Sequence, residues 1–407
     1  MPISSRVPKW IVLLAGLAIT GTGYGLPPFQ LFVEITPPGG VLRAPPGKYA
    51  GPVVIKRPIT IEGDGQVTID GGGEGTVLSV EADDVVIRGL QLVNSGDSHD
   101  QVDAAILVAA DNALIENNRI SDTLFGVHIR QANDNIIRNN TISSKGETPS
   151  LRGEGIRMWY SEGNLIEGNE IRDVRDLIFS NSPENRIVGN TITDSRIGME
   201  FVFSPDNLVE GNRIEGNSTG VVVIYSDDLR IFGNRFSHLR SISGSAVSIK
   251  GSAKALIEDN TFLHCAIGLV ANAPIHPEHV FNLKDNRFIY NDVAMYFYGE
   301  KGGHVVRDNH FEGNFTDILV SASSSALHND WHGNYWDNYK GFDRDRDGFG
   351  DAPYNMYVYS DRLWMDRPMT RFFRGSPGLE MYDFVERLAP FSKPVLILSD
   401  PRPRMAH

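Results

Sequence analysis

A short phrase returns along this chain roughly every 22 residues: an aliphatic residue, two small or charged residues, Asn, any residue, then Ile or Phe. It reads I-E-N-N-R-I around Asn118, I-R-N-N-T-I around Asn140 and I-E-G-N-E-I around Asn169. The anchoring residues are Asn118, Asn140, Asn169, Asn190, Asn212, Asn234, Asn260, Asn286 and Asn309. A fixed period of this size marks a solenoid, in which each unit stacks only on its neighbours.

The units read as strands. Three residues before each anchor stands Ile, Val or Leu, and the next column mixes Glu, Arg, Lys, Val and Phe. That alternation is the period of a half-buried strand. A second strand follows a small residue, as in G-V-H-I at 126, G-M-E-F at 198 and A-V-S-I at 246. Turn clusters such as Ser-Pro-Glu-Asn separate the strands. The pattern predicts an all-β, single-stranded, right-handed parallel β-helix, with the Asn residues stacked as a ladder at a bend. Asn also tolerates left-handed backbone angles. A leucine-rich repeat would need a Leu-rich consensus that is absent here.

The expected organisation is a signal peptide at 1–25, a β-helix at 26–335 and a C-terminal segment at 336–407 with a short helix. Arg6 and Lys9 precede an apolar run from Trp10 to Ile19, and Gly21, Gly23 and Gly25 suit cleavage. An uncleaved anchor is the alternative. The single Cys265 excludes an intrachain disulfide framework. A net charge of −13 argues against a nucleic-acid partner. Residues 376–404 read either as a cap over the open end or as a docking segment. Their helix begins at Ser376-Pro377, and Leu379, Tyr382, Val385 and Leu388 share one side.

Three groups of residues suggest chemistry. Asp343, Asp345, Asp347, the Phe349 carbonyl and Asp351 follow the front of a calcium loop, with Gly348 at the sharp turn. Position 12 is Tyr354, where such loops carry Glu. A metal-free acidic turn and another divalent ion are the alternatives to calcium. His238 and His264 each stand four residues after an anchor, on consecutive rungs, and Cys265 follows directly. Two imidazoles and a thiol suit a soft metal such as copper, although bend histidines are often plain surface residues. Finally, Trp159, Ile178, Val202, Val222, Ile224, Tyr296 and Tyr298 fall on outward columns of the second strand. An exposed apolar strip of that kind binds a partner unless a loop or the tail covers it. The same columns offer His128, Arg157 and Glu200 as a small polar group. They show no clustered carboxylate pair of the kind glycosidic chemistry needs, so no catalytic residue is assigned.

The rungs, together with P-P-G-K-Y at 45–49, P-I-T-I-E-G-D-G at 58–65 and G-N-Y-W-D-N-Y…D-R-D-R-D-G-F-G-D-A-P-Y at 333–354, make the chain resemble the NosD family. These are periplasmic accessory proteins of nitrous oxide reductase maturation. The resemblance spans nearly the whole chain and implies a non-enzymatic role in denitrification. It implies work with an ABC transporter made of a membrane subunit and an ATPase, delivery of copper to the reductase, and a copper-chaperone lipoprotein as a further partner. No motif carries copper ligands over to positions of this sequence. A secreted carbohydrate-active β-helix and a structural surface β-helix are the competing readings.

Overall fold

The computed structural model describes residues 11–12, 25–272, 276, 280–299, 302–321, 325–358, 376–388 and 394–405. The expected signal peptide lies outside the described residues except for Ile11, Val12 and Gly25. The chain divides into two compact units, Met1–Arg213 and Ile214–His407. Both are built as right-handed parallel β-helix.

In the first unit a rung consists of three short strands, for example Leu165–Glu167, Glu170–Arg172 and Leu177–Ser180. The next rung repeats them as Arg186–Val188, Thr191–Thr193 and Ile197–Val202. Pairing is parallel and in register, with Ile137 opposite Ile166, Ile166 opposite Ile187 and Ile187 opposite Val209. The columns expected to be apolar are buried, because alternate side chains enter the lumen. Ahead of these rungs lies a short helix, Gln30–Ile35, that the repeat gave no sign of. It buries Val33, and Phe29 and Phe32 meet the ring of Tyr49 edge-on.

The second unit uses the same rung, as in Arg230–Phe232, Arg235–Ser237 and Val247–Lys250. Its lumen holds a stack of parallel rings: Phe236, Phe262, Phe288, Phe311 and Trp336, with centroids 4.3–5.1 Å apart. Rungs in register force identical side chains to meet face to face, which is how an F-at-one-column sequence becomes a column of contacts.

The anchoring Asn residues form ladders in each unit. Asn140 Oδ1 accepts both the backbone N–H and the side-chain amide of Asn118, at 2.9 and 3.0 Å. The pattern continues through Asn169, Asn190 and Asn212. In the second unit it runs Asn234, Asn260, Asn286, Asn309 and on to Asn334, a rung beyond the expected last anchor. One expectation needs correction. The left-handed residue is not the anchor but the one before it: Asn117, Asn139, Gly168, Gly189 and Gly211 in the first unit, and Gly233, Asp259, Asp285, Asp308 and Gly333 in the second. The anchor turns inward to bond, so its neighbour makes the bend, and only Gly, Asn and Asp stand there.

The C-terminal segment of the second unit closes its last rungs. Tyr354–Val358 pairs antiparallel with Val395–Asp400, and Ile397 and Leu398 are buried. Tyr354 stacks on Trp336 at 4.7 Å.

Candidate functional site

The outward face of the third strand of each rung presents two columns. In the first unit, register places His128, Arg157, Ile178 and Glu200 in one and Arg130, Trp159, Ser180 and Val202 in the other. In the second unit the columns run Val222, Ser248, Val270, Tyr296 and Ile224, Lys250, with Tyr298 opposite Asn272. Trp159 is 43% exposed and Tyr298 57% exposed. Ile178, Val202, Val222, Ile224 and Tyr296 are half-buried between their column neighbours.

The first unit also holds charges that sequence reasoning missed. Glu154 is fully buried, pairs with Arg175 and lies 3.6 Å from Arg157. Asp176 is buried too. Its carboxylate accepts from Arg196 Nε at 3.1 Å and from the backbone N–H of Ile197 at 3.2 Å. Arg175 Nε sits 3.4 Å from the same carboxylate. Glu200, across the face, has its carboxyl pushed up, chiefly by burial and then by the charge of Asp176. Burial, with Arg157 and Arg130 nearby, pushes His128 down to about 4, so its imidazole is neutral at neutral pH. The two outward columns carry no carboxylate pair; the buried acids stand beside them. Glu154 and Asp176 sit in the turn just ahead of the strand, outside the two columns the alternation picks out. Their only sequence signal is an acidic residue immediately before the strand's first apolar or small position.

The structure brings His238 and His264 together and leaves Cys265 apart. The two imidazole centroids are 5.5 Å apart with planes tilted 36°. His238 Nδ1 lies 3.4 Å from Glu215 Oε1. His264 meets the ring of Tyr290 at 5.7 Å. Both histidines hold left-handed angles at the rung corner and point to solvent. Cys265, one residue on, turns inward. Its N–H bonds Asn291 Oδ1 at 2.9 Å, and its thiol lies 3.5 Å from the Leu263 carbonyl and 3.9 Å from that of Phe236. Burial pushes the thiol up to about 12, so the thiolate that binds metal is not formed at neutral pH. The three-ligand arrangement is corrected to an imidazole pair, because successive side chains at this corner leave on opposite sides.

Asp343, Asp345 and Asp347 offer carboxylate oxygens within 4.8 Å of one another. Asp343 accepts the N–H groups of Arg346 and Gly348 at 2.6 and 2.9 Å, and Asp347 that of Phe349 at 2.9 Å. Asp351 turns to the N–H of Arg344 at 2.9 Å. Arg402 donates to Asp347 at 2.6 Å and lies 4.1 Å over the Phe349 ring. That bond is the largest influence holding the Asp347 carboxyl below its usual range. The three aspartates fit a hard cation. Arg402 already pairs with Asp347, and position 12 of the loop is Tyr354, which is not acidic.

The tail splits in two. Arg402 holds Asp347 and Arg404 holds Asp308 at 2.8 Å, so both basic residues serve the cap. The helix Pro377–Leu388, beginning next to Ser376 as expected, differs. Met381, Phe384, Val385 and Leu388 recur at helical spacing on one face and are all exposed, Leu388 by 70%. The side chain of Leu379 lies outside the described residues. No helix among the described residues is long and apolar enough to cross a membrane.

A family model described as "Periplasmic copper-binding protein (NosD)" matches residues 59–151 and 139–341. Two relatives carry the name "Probable ABC transporter binding protein NosD". That of Pseudomonas aeruginosa is 29% identical over 394 aligned residues, covering 84% of this chain and 83% of the relative. That of Stutzerimonas stutzeri is 28% identical over 364 residues, covering 86% and 84%. Among solved structures, the catalytic domain of a GH87 α-1,3-glucanase in complex with nigerose is similar with a TM-score of 0.54 at 13% identity, over 73% of this chain and 64% of that one. At that identity the likeness is of fold alone.

Proposed function

The chain belongs to the NosD family of periplasmic copper-binding proteins, and on that basis we propose that it is a non-enzymatic scaffold for copper delivery during nitrous oxide reductase maturation. It works in the periplasm with the membrane subunit and ATPase of an ABC transporter. The names of its relatives in Pseudomonas aeruginosa and Stutzerimonas stutzeri support the transporter link. The copper-chaperone lipoprotein and the reductase are the other partners. The observation that carries a binding role is the outward apolar strip on stiff rungs, which loses little ordering entropy when it docks. Glu154 and Asp176 are each claimed by an arginine, which also favours binding over acid–base chemistry.

Among the described residues, the candidate foothold for copper as cargo is the imidazole pair His238 and His264. Small rotations would bring two ring nitrogens to the roughly 4 Å that a shared metal with ~2 Å bonds requires. Cys265 takes no part. The loop of Asp343, Asp345 and Asp347 is assigned to a structural hard cation, calcium first, that ties the last rungs to the cap.

Docking is divided between the strand face of each unit, taken separately, and the exposed helix. Trp159, Ile178 and Val202 in the first unit, and Val222, Ile224, Tyr296 and Tyr298 in the second, face the chaperone or the reductase. The exposed helix face of Met381, Phe384 and Leu388 faces the transporter's membrane subunit. Removing the whole tail would be a poor test, since residues 395–404 hold the second unit closed. Point variants are better. Met381→Asp with Leu388→Asp should lose the transporter in a pull-down and keep the chaperone or reductase. Tyr298→Asp with Val222→Asp should do the reverse. If both variants bind every partner as the parent does, the assignment fails.

A further inference from the structure

We propose that the corner following the third strand of the first unit's rungs docks an arginine-bearing segment of a partner protein, with Tyr160 and Phe203 as an aromatic clamp. On four successive rungs this corner places one residue in the left-handed conformation: Gln131, Tyr160, Asn181 and Phe203, with φ from +48° to +50°. They stack in register, since the Gln131 N–H bonds the Trp159 carbonyl, the Tyr160 N–H that of Ser180 and the Asn181 N–H that of Val202. Asn adopts such angles readily, and large aromatic residues do not. Yet two of the four are aromatic, and packing does not account for them: Tyr160 is 53% exposed and Phe203 54%. The backbone beneath is pinned by a ladder of buried serines. Ala132 N–H donates to Ser161 Oγ at 3.2 Å, Ser161 N–H to Ser182 Oγ at 3.2 Å and Ser182 N–H to Ser204 Oγ at 3.0 Å.

Charge narrows the partner. Asp134, Glu184 and Asp206 stand three residues beyond Gln131, Asn181 and Phe203, and Glu162 stands two beyond Tyr160; all four acids are exposed. On the first-strand face of the same unit the acids are matched, Glu62 by Arg43 and Arg88 and Glu116 by Arg138. At the corner none of the four has an ion-pair partner among the described residues. The exposed arginines that border it, Arg130 and Arg186, are two against four. Exposed rings beside uncompensated carboxylates select a cation. Tyr160 and Phe203 are two rungs apart, roughly 10 Å, with the smaller Asn181 between them. Rings carried straight out from those rungs leave a cation midway about 5 Å from each, inside the ~6 Å reach of a cation–π contact. Glu184, on the middle rung, offers the same cation a carboxylate. A guanidinium fits better than an ammonium, because it is flat, weakly hydrated, stacks on rings and forks onto a carboxylate. A metal ion is disfavoured: among the described residues, three convergent donors occur only at Asp343, Asp345 and Asp347. The corner adjoins Trp159 of the apolar strip, but its recognition is cationic and does not depend on the strip's partners.

Fluorescence anisotropy of labelled hexaarginine, hexalysine and hexaglutamate peptides with the full chain tests this. Hexaarginine should bind saturably, about fivefold or more tighter than hexalysine, and hexaglutamate should not bind. Tyr160→Asn with Phe203→Asn copies the neighbouring Asn181 and keeps the net charge. That variant should lose about tenfold in hexaarginine affinity, while its melting temperature stays the same or rises. Glu184→Gln with Asp206→Asn should weaken binding and flatten its salt dependence. Tyr298→Ala should bind as the parent does. Undiminished binding by either double variant, or equal affinity for the arginine and lysine peptides, would show attraction to net charge alone and overturn the proposal. A lower melting temperature in the Asn variant would make the rings part of the packing and overturn it too. So would a dimeric parent that the Asn variant turns monomeric, since the occupant would then be a second copy of the chain.

Discussion

Asp400 Oδ2 accepts the backbone N–H of Asn334 at 3.1 Å and its side-chain amide at 2.9 Å, across 66 residues of sequence. The same carboxylate lies 3.3 Å from the indole N–H of Trp336. A buried acid thus takes the place of the next Asn at the end of the second unit's ladder. Replacing Asp400 with Ala leaves three buried donors unpaired, so the second unit should lose about 3 kcal/mol or more. Asp400→Asn, which keeps one acceptor, should lose less. Urea unfolding curves for the two variants would show this order; equal midpoints would remove Asp400 from the cap.

Within the ladder, Asn260 takes both donors of Asn234 and gives both of its own to Asn286. Asn260→Ala breaks bonds on both sides and should cost about 3 kcal/mol or more. An exposed substitution such as Ile242→Ala should change stability by less than about 0.5 kcal/mol. Chemical denaturation monitored by tryptophan fluorescence separates the two.

The pH dependence of the second unit should carry the mark of Asp317. Burial, with Asp337 adding charge, pushes its carboxyl up to about 7, while Asn314 donates to it at 3.1 Å. A raised acid favours the folded state when protonated. That contribution is full below about 3.8 and is lost as pH rises through about 7. Asp317→Asn should therefore match the parent near pH 4 and melt about 5 °C higher at pH 8. Identical melting temperatures across that range would show that Asp317 ionises as freely in the folded state as in the unfolded one.

Copper binding should depend on the imidazole pair and ignore the thiol. His238→Ala with His264→Ala should lower the affinity for copper tenfold or more in a chelator competition, and Cys265→Ser should leave it unchanged. Retention of full affinity by the double variant would move the cargo site elsewhere.

For the acidic loop the prediction is a calcium-dependent rise in melting temperature of a few degrees, abolished by Asp343→Ala with Asp345→Ala. Arg402→Ala frees Asp347 and should strengthen the calcium response. Equal melting curves in calcium and in chelator would leave the loop as an acidic turn held by its own amides.

The sequence makes the rungs legible because a repeat averages over many copies. Ile166, Ile187 and Val209 repeat one environment, so their burial could be read directly. Single-use features were less legible. Asp400 pairs with a residue 66 positions away, and nothing local marks it. His304 fills an Asn-type position, accepting the Phe281 N–H at Nδ1 and giving its own backbone N–H to Asn329, and no repeat of the anchor phrase marks it. Glu154 and Asp176 escaped because the strand period says nothing about the turn ahead of it. Cys265 misled through adjacency: neighbours in sequence at a corner part company in space.

The ladder also has a direction. Each Asn passes two N–H groups to the following rung and takes two from the rung before, so a rung at the far end is a template awaiting another acceptor. Asp400 supplies that acceptor and, as a carboxylate, has no side-chain N–H to hand on. Growth by addition of a further chain, the hazard of any open strand edge, therefore meets a terminator of the kind that ends a polymer: a monomer that can be added but cannot be extended. Protein in which Asp400 is lost should not merely be less stable. It should expose a competent growing end, and its aggregates should be fibrous and seedable by their own fragments.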